Sequence, residues 1–100
     1  MQLKDYIPWI NKKYRKVFFS GIAFDSSQVK KDNIFFAIKG NKFDGNNYIN
    51  SAIKRGAKVI ISKKKNLKNV KNIIFITSKN VRKLLASISF KILNKKPKTL

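Results

Sequence analysis

Residues 33–40 read Asn33-Ile34-Phe35-Phe36-Ala37-Ile38-Lys39-Gly40, and the run from Ile34 to Ile38 is apolar at every position. A strand with one wet face alternates apolar and polar side chains. One that is apolar throughout has to be covered on both faces, the mark of a strand in the parallel sheet of an α/β domain. Two further runs downstream have the same character, Lys58-Val59-Ile60-Ile61-Ser62 and Ile73 to Thr77, and both read as buried strands. Between the first run and the second, Ile49, Ala52 and Ile53 fall at helical spacing, and Gly56 stands where a left-handed C-terminal cap would stop that helix. After the last run, Val81, Leu84, Leu85, Ile88 and Ile92 form a second helical stripe, with Ser78 or Asn80 as its N-cap and Pro97 as its terminator. Upstream, Val17 to Phe19 and Gly21 to Phe24 read as short strands, the second with Ile22 and Phe24 on one face. Leu3, Tyr6, Ile7 and Ile10 read as a short amphipathic helix that Pro8 should kink or shorten. Strands alternating with helices predict an α/β fold, a small and mostly parallel sheet flanked by helices.

Composition narrows the function classes. One hundred residues make one small domain with a single core. Cysteine and histidine are both absent, and the only acids are Asp5, Asp25, Asp32 and Asp44. That removes disulfides, thiolate metal sites, a cysteine nucleophile and a serine triad, and leaves almost nothing for a metal cage or an acid–base pair. No apolar run is long enough to span a bilayer. The N-terminus lacks the apolar segment of a signal peptide, because Asp5, Pro8 and the lysines from Lys12 interrupt it. The expectation is a cytoplasmic protein without a membrane partner. The formal net charge of +20 should attract polyanions non-specifically. All but three of the 24 basic residues are lysine, however, and the arginine that reads bases and phosphates bidentately is confined to Arg15, Arg55 and Arg82. The lysine-, asparagine- and isoleucine-rich composition is what an A+T-rich coding sequence imposes on any protein, and no specific nucleic-acid partner is expected.

Ligands of α/β sheets sit on loops beyond the C-terminal ends of the strands. Two such loops carry suggestive side chains, Phe24-Asp25-Ser26-Ser27 and Gly40-Asn41-Lys42-Phe43-Asp44-Gly45. An amide or hydroxyl for a pyrimidine edge, a lysine for a diphosphate and an aromatic face would suit a nucleotide-sugar. The alternative is that Asp25-Ser26 is a cap or turn and the second loop an ordinary tight connection. Gly40 and Gly45 have the glycine spacing of a P-loop, but Asn46-Asn47 stands where Lys-Ser/Thr is required, so this is not an ATP site. Lys63 to Asn72 reads as a solvated surface loop.

Taken together, Ile22-Ala-Phe-Asp-Ser-Ser-Gln-Val, Asn33-Ile-Phe-Phe-Ala-Ile-Lys-Gly, Phe43-Asp-Gly, Tyr48-Ile, Ala52-Ile and Gly56-Ala resemble the N-terminal domain of the Mur ligases, in order and spacing. The final helix and the Lys/Pro stretch after it resemble the MurE type more than the MurF type, which stays open as the alternative within the family. A small basic nucleic-acid-binding module is the alternative outside it. The resemblance implies an ATP-dependent amide ligase of peptidoglycan synthesis that activates the D-Glu carboxylate of UDP-MurNAc-L-Ala-D-Glu for attack by diaminopimelate or lysine. It implies that residues 1–96 bind the UDP-sugar, and that 97–100 lead into an ATP-binding central domain. It assigns UDP-sugar contacts to Phe24, Ser26, Asn41, Lys42 and Phe43, with no catalytic residue, metal ligand or cofactor in this stretch. ATP and Mg2+, with the remaining domains of the same chain, would belong to the full-length enzyme. Two positions depart from the family pattern. Ser27 replaces an arginine, and Asp32-Asn33 replaces a Gly-Asp turn, so the bend before Ile34 has to be made without glycine.

Overall fold

The computed structural model describes residues 1–38, 45–63 and 72–95. Four parallel strands lie side by side in chain order: β1 (Gly21–Ala23), β2 (Asn33–Ala37), β3 (Val59–Ser62) and β4 (Ile74–Thr77). Three α-helices accompany them, α1 (Leu3–Tyr6), α2 (Ile49–Arg55) and α3 (Val81–Lys95), with short 3-10 turns at Lys12–Tyr14, Ser26–Gln28 and Gly45–Tyr48. The predicted α/β architecture is what the chain adopts.

The two-faced burial read from the sequence is literal in β2 and β3, where every residue is buried. Because successive side chains point to opposite faces, each strand feeds two cores. Ile34, Phe36, Val59, Ile61, Ile74 and Ile76 enter one core, closed by α1, α3 and the extended segment at Phe19. Phe35, Ala37 and Ile60 enter the other, closed by Val29 and by Ala52 of α2. Tyr6 and Phe19 meet edge to face at 5.2 Å in the first core. The result is three layers, with the sheet in the middle.

Three expectations need correction. Val17 to Phe19 is not a strand, because its pairing is limited to an isolated antiparallel bridge between Gln2 and Phe18. Ile22 and Phe24 do not share a packed face. β1 ends at Ala23, Ile22 packs against the first core and Phe24 is left exposed. β4 is only half buried, with Phe75 partly covered and Thr77 exposed, because it is an edge strand. The helix expected around Pro8 is shortened to one turn. Leu3, Tyr6, Ile7 and Ile10 are nonetheless all buried, and Ile10 N–H donates to the Ile7 carbonyl at 3.1 Å, closing a turn over Pro8-Trp9. Asn80 rather than Ser78 caps α3, its Oδ1 accepting from the Lys83 N–H at 3.0 Å. Most of the expected lysine-rich surface loop, residues 64–71, lies outside the described residues, as do Pro97 and the proposed linker.

The turns at the N-terminal end of the sheet are held by main chain. Gly56 ends α2 at φ 115°, and its carbonyl accepts from the Asp32 N–H at 2.8 Å. Asp32 itself makes the glycine-free bend before β2 by taking φ 66°, a left-handed conformation that aspartate tolerates better than most residues. Asn33 locks this corner. Its Oδ1 accepts from the Lys30 N–H at 3.0 Å, its Nδ2 donates to Ser20 Oγ at 3.0 Å, and Ser20 Oγ donates to the Lys31 carbonyl at 2.6 Å. A Cβ on Gly56 would fall 2.8 Å from Lys31 Cα. Gly56→Ala should therefore destabilise the domain by more than about 1 kcal/mol, from backbone strain alone. Asp32→Gly should be tolerated, while Asp32→Val should lower the urea midpoint. A Gly56→Ala midpoint equal to wild type would show that this corner is not rigid.

Candidate functional site

A parallel sheet brings the C-terminal ends of all its strands to one edge. Ala23 pairs with Phe35, so the chain leaving β1 at Phe24 emerges beside the end of β2, one strand spacing of about 4.8 Å away. At the end of β2 the Gly45 N–H donates to the Ile38 carbonyl at 2.8 Å. A Cβ on Gly45 would lie 2.7 Å from the Ile38 nitrogen, so this close approach requires glycine. The two segments singled out in the sequence are thus rooted next to each other. Asn41, Lys42 and Phe43 themselves lie outside the described residues.

Of the described candidates, Phe24 is 56% exposed, an unusual position for a large apolar ring. Ser26 is buried, at the start of the 3-10 turn. No hydrogen bond from its hydroxyl to another described residue is found, although its carbonyl accepts from the Val29 N–H at 3.3 Å. Asp25 does what the plainer reading expected of it. Its Oδ1 accepts from the Ser27 N–H at 2.9 Å and from Ser27 Oγ at 2.8 Å, capping the turn. The serine that replaces the family's arginine therefore helps to close the turn. These two hydrogen bonds, backbone first, hold the Asp25 carboxyl below its usual range, with a smaller contribution from the positive charge of Arg55.

The structure adds Tyr48, which the sequence reading used only as a motif position. It ends the 3-10 turn that starts at Gly45 and leads into α2, and it is 40% exposed at this same end of the sheet. An aromatic just after the loop glycine was the available signal. A shallow hollow of about 570 Å³ lies elsewhere, beside edge strand β1, lined by Ser20, Gly21, Ile22, Gln28, Lys30 and Asn33. None of the candidate residues lines it. The described residues at the ends of β1 and β2 offer an exposed ring, a buried hydroxyl and fixed main chain. Among the described residues no group of three acidic, histidine or cysteine side chains could hold a metal ion.

Residues 19–89 match the family described as Mur ligase family, catalytic domain. The chain belongs to the Mur ligase family. Over 91 residues, 91% of the chain and 18% of the relative, it is 35% identical to the UDP-N-acetylmuramoyl-L-alanyl-D-glutamate–2,6-diaminopimelate ligase of Rickettsia prowazekii. It is 51% identical over 67 residues to the enzyme of the same name from Clostridium tetani, covering 65% of the chain and 14% of that relative. Among solved structures it is similar to the MurF ligase of Thermotoga maritima in complex with ADP. That match has a TM-score of 0.61 and 27% identity, covering 73% of this chain and 16% of that one. This Mur ligase chain thus spans less than a fifth of the length of these relatives.

The Asp25 cap makes stability depend on pH with a definite sign. A carboxyl held below its unfolded value stabilises the fold above that value, about pH 4, and the stabilisation is lost as pH falls through the lower, folded value. Wild type should lose more melting temperature between pH 5 and pH 2 than Asp25→Asn does. Parallel melting curves for the two proteins would remove Asp25 from the account.

Proposed function

We propose that this domain anchors the UDP-sugar end of UDP-MurNAc-L-Ala-D-Glu for a cytoplasmic, ATP-dependent ligase of the MurE type, which adds diaminopimelate in peptidoglycan synthesis. The observation that carries the reading is the similarity over 91% of the chain to a protein named as the diaminopimelate-adding ligase. That name also favours diaminopimelate over lysine as the incoming amino acid. The MurF alternative draws on four solved structures, which cover 67–73% of the chain at 23–27% identity. The two readings differ in ligand, because a MurF-type domain would take the UDP-MurNAc-tripeptide instead.

In this reading Phe24 and Ser26 meet the nucleotide-sugar from the end of β1. Asn41, Lys42 and Phe43 meet it from the loop rooted at Ile38 and Gly45. Phe24 offers a packing face, Ser26 a hydroxyl to a polar edge, and Lys42 a charge to the diphosphate. In this reading ATP and Mg2+ belong to the rest of the enzyme. The described acids Asp5, Asp25 and Asp32 form no cluster, and Asn46-Asn47 cannot replace the lysine and hydroxyl of a phosphate loop. Residues 1–96 are accordingly the substrate domain, and 97–100 the approach to the polypeptide that handles the nucleotide. A clean preparation of the 100-residue chain should hydrolyse no ATP above background, and measurable turnover would show that the chemistry has been put in the wrong place.

Titration of UDP-MurNAc-dipeptide into the ligase tests the site. Ser26→Ala should weaken binding by about 0.5–1.5 kcal/mol, the usual worth of one hydrogen bond. Lys42→Ala should cost a similar amount, and more at low salt than at high. Charge reversal at Lys63, Lys64 and Lys65 should leave binding nearly unchanged. If the lysine-loop variant loses affinity while the other two keep it, general polyanion attraction explains the binding better.

A further inference from the structure

Six large apolar side chains are exposed among the described residues, and they fall into two groups. Phe24 and Tyr48 stand at the candidate site. Trp9, Phe18, Phe90 and Leu93 all belong to the layer built from α1, the arm after it and α3, on the opposite side of the sheet from α2. Their exposure is imposed by the packing beneath them. Ile7 and Ile10 are buried and joined by a hydrogen bond, which leaves Trp9 on the turn between them. Phe19 is buried in the core against Tyr6, so its extended neighbour Phe18 faces the other way. Val81 and Ile88 turn inward on α3, and Phe90 and Leu93, one helical turn apart, do not.

Positive charge surrounds these groups. Lys4, Lys12, Lys13, Arg15 and Lys16 are exposed on the same arm, whose ends are tied by the Leu3 N–H to the Val17 carbonyl at 2.9 Å and the Lys4 N–H to the Arg15 carbonyl at 3.0 Å. Arg82 and Lys83 are exposed on α3, and Asp5 is the only acid in the arm or the helix. Charge by itself singles out no face of a chain this basic. The exposed apolar side chains do, because four of the six lie in this layer and none lies within α2. Trp and Phe beside lysine and arginine fit an interface that is apolar a few ångströms down and anionic on top.

We propose that the α1/α3 layer rests on an anionic lipid surface, with Trp9 and Phe18 entering the headgroup region and the neighbouring basic residues meeting lipid phosphates. The aliphatic Leu93 favours lipid over single-stranded nucleic acid, where stacking rings carry the binding. Such a contact departs from the expectation of no membrane partner and would be peripheral, since no helix among the described residues is long and apolar enough to cross a membrane.

Trp9 is the single tryptophan, so its emission reports on this face directly. The full chain should show a blue shift of that emission with vesicles of phosphatidylcholine mixed with an equal amount of phosphatidylglycerol. It should show none with phosphatidylcholine alone. Phe18→Ser keeps the charge and should weaken co-sedimentation with the mixed vesicles by roughly five- to tenfold. Phe90→Ser, on the outer side of α3, gives the same comparison if Phe18→Ser folds poorly. Lys12→Glu with Lys13→Glu should weaken binding more than Lys54→Glu with Lys58→Glu, which carry the same charge change on and after α2. Equal losses in the two charge variants, or sedimentation without a blue shift, would reduce the effect to bulk attraction and overturn the proposal. A Trp9 response to a single-stranded oligonucleotide but not to vesicles would overturn it in favour of nucleic acid. Silence toward both would leave the face without the partner argued for it.

Discussion

The fold depends on β2 and β3 being covered on both faces at once. Phe35 and Phe36 are neighbours in sequence, yet each is fully buried in a different core. A sheet wet on one side would leave one of them in water, at a cost of about 1.5–3 kcal/mol for a side chain of that size. Helices are therefore needed above and below. The chain supplies them by crossing over one face with α2 between β2 and β3, and by laying α1 and α3 on the other. Because each strand pairs with its neighbour in sequence, the two ends of the sheet take on different duties.

At the N-terminal end, main-chain contacts and one buried side chain fix the geometry. Asp32 and Gly56, both left-handed, are joined directly by a hydrogen bond, and Asn33 ties three separate backbone stretches together. This end is satisfied within itself. At the C-terminal end Phe24 is exposed, and the Ser26 hydroxyl has no described partner. The exposed ring at this end, set beside a corner closed by its own hydrogen bonds, is what the proposed ligand site rests on. The hollow beside β1 borders the Ser20–Asn33 corner, whose hydrogen bonds are already made.

Much of the fold was legible because hydrophobic pattern is a direct record of burial. The apolar run Ile34–Ile38, the α3 stripe and Gly56 as helix stop all read correctly. Short elements read less well. Val17 to Phe19 has strand-like composition, but a single bridge to Gln2 is all the pairing available to it, which composition cannot reveal. Phe24 read as continuing the strand on the face of Ile22, because period-two alternation says nothing of where a three-residue strand ends. Asp25 was legible as a cap, since a carboxylate two residues before a serine N–H is a local matter. The place of Tyr48 beside the strand ends was not legible, because it comes from the path of the chain around Gly45.

The bond between Ile38 and Gly45 has an evolutionary side. That bond is made by main-chain atoms, so it sets no requirement on the side chains of the six residues between its two posts. A lineage can rewrite those residues, and with them the chemistry offered to a ligand, without renegotiating the sheet below. The glycine is the fixed hinge pin of an exchangeable cassette.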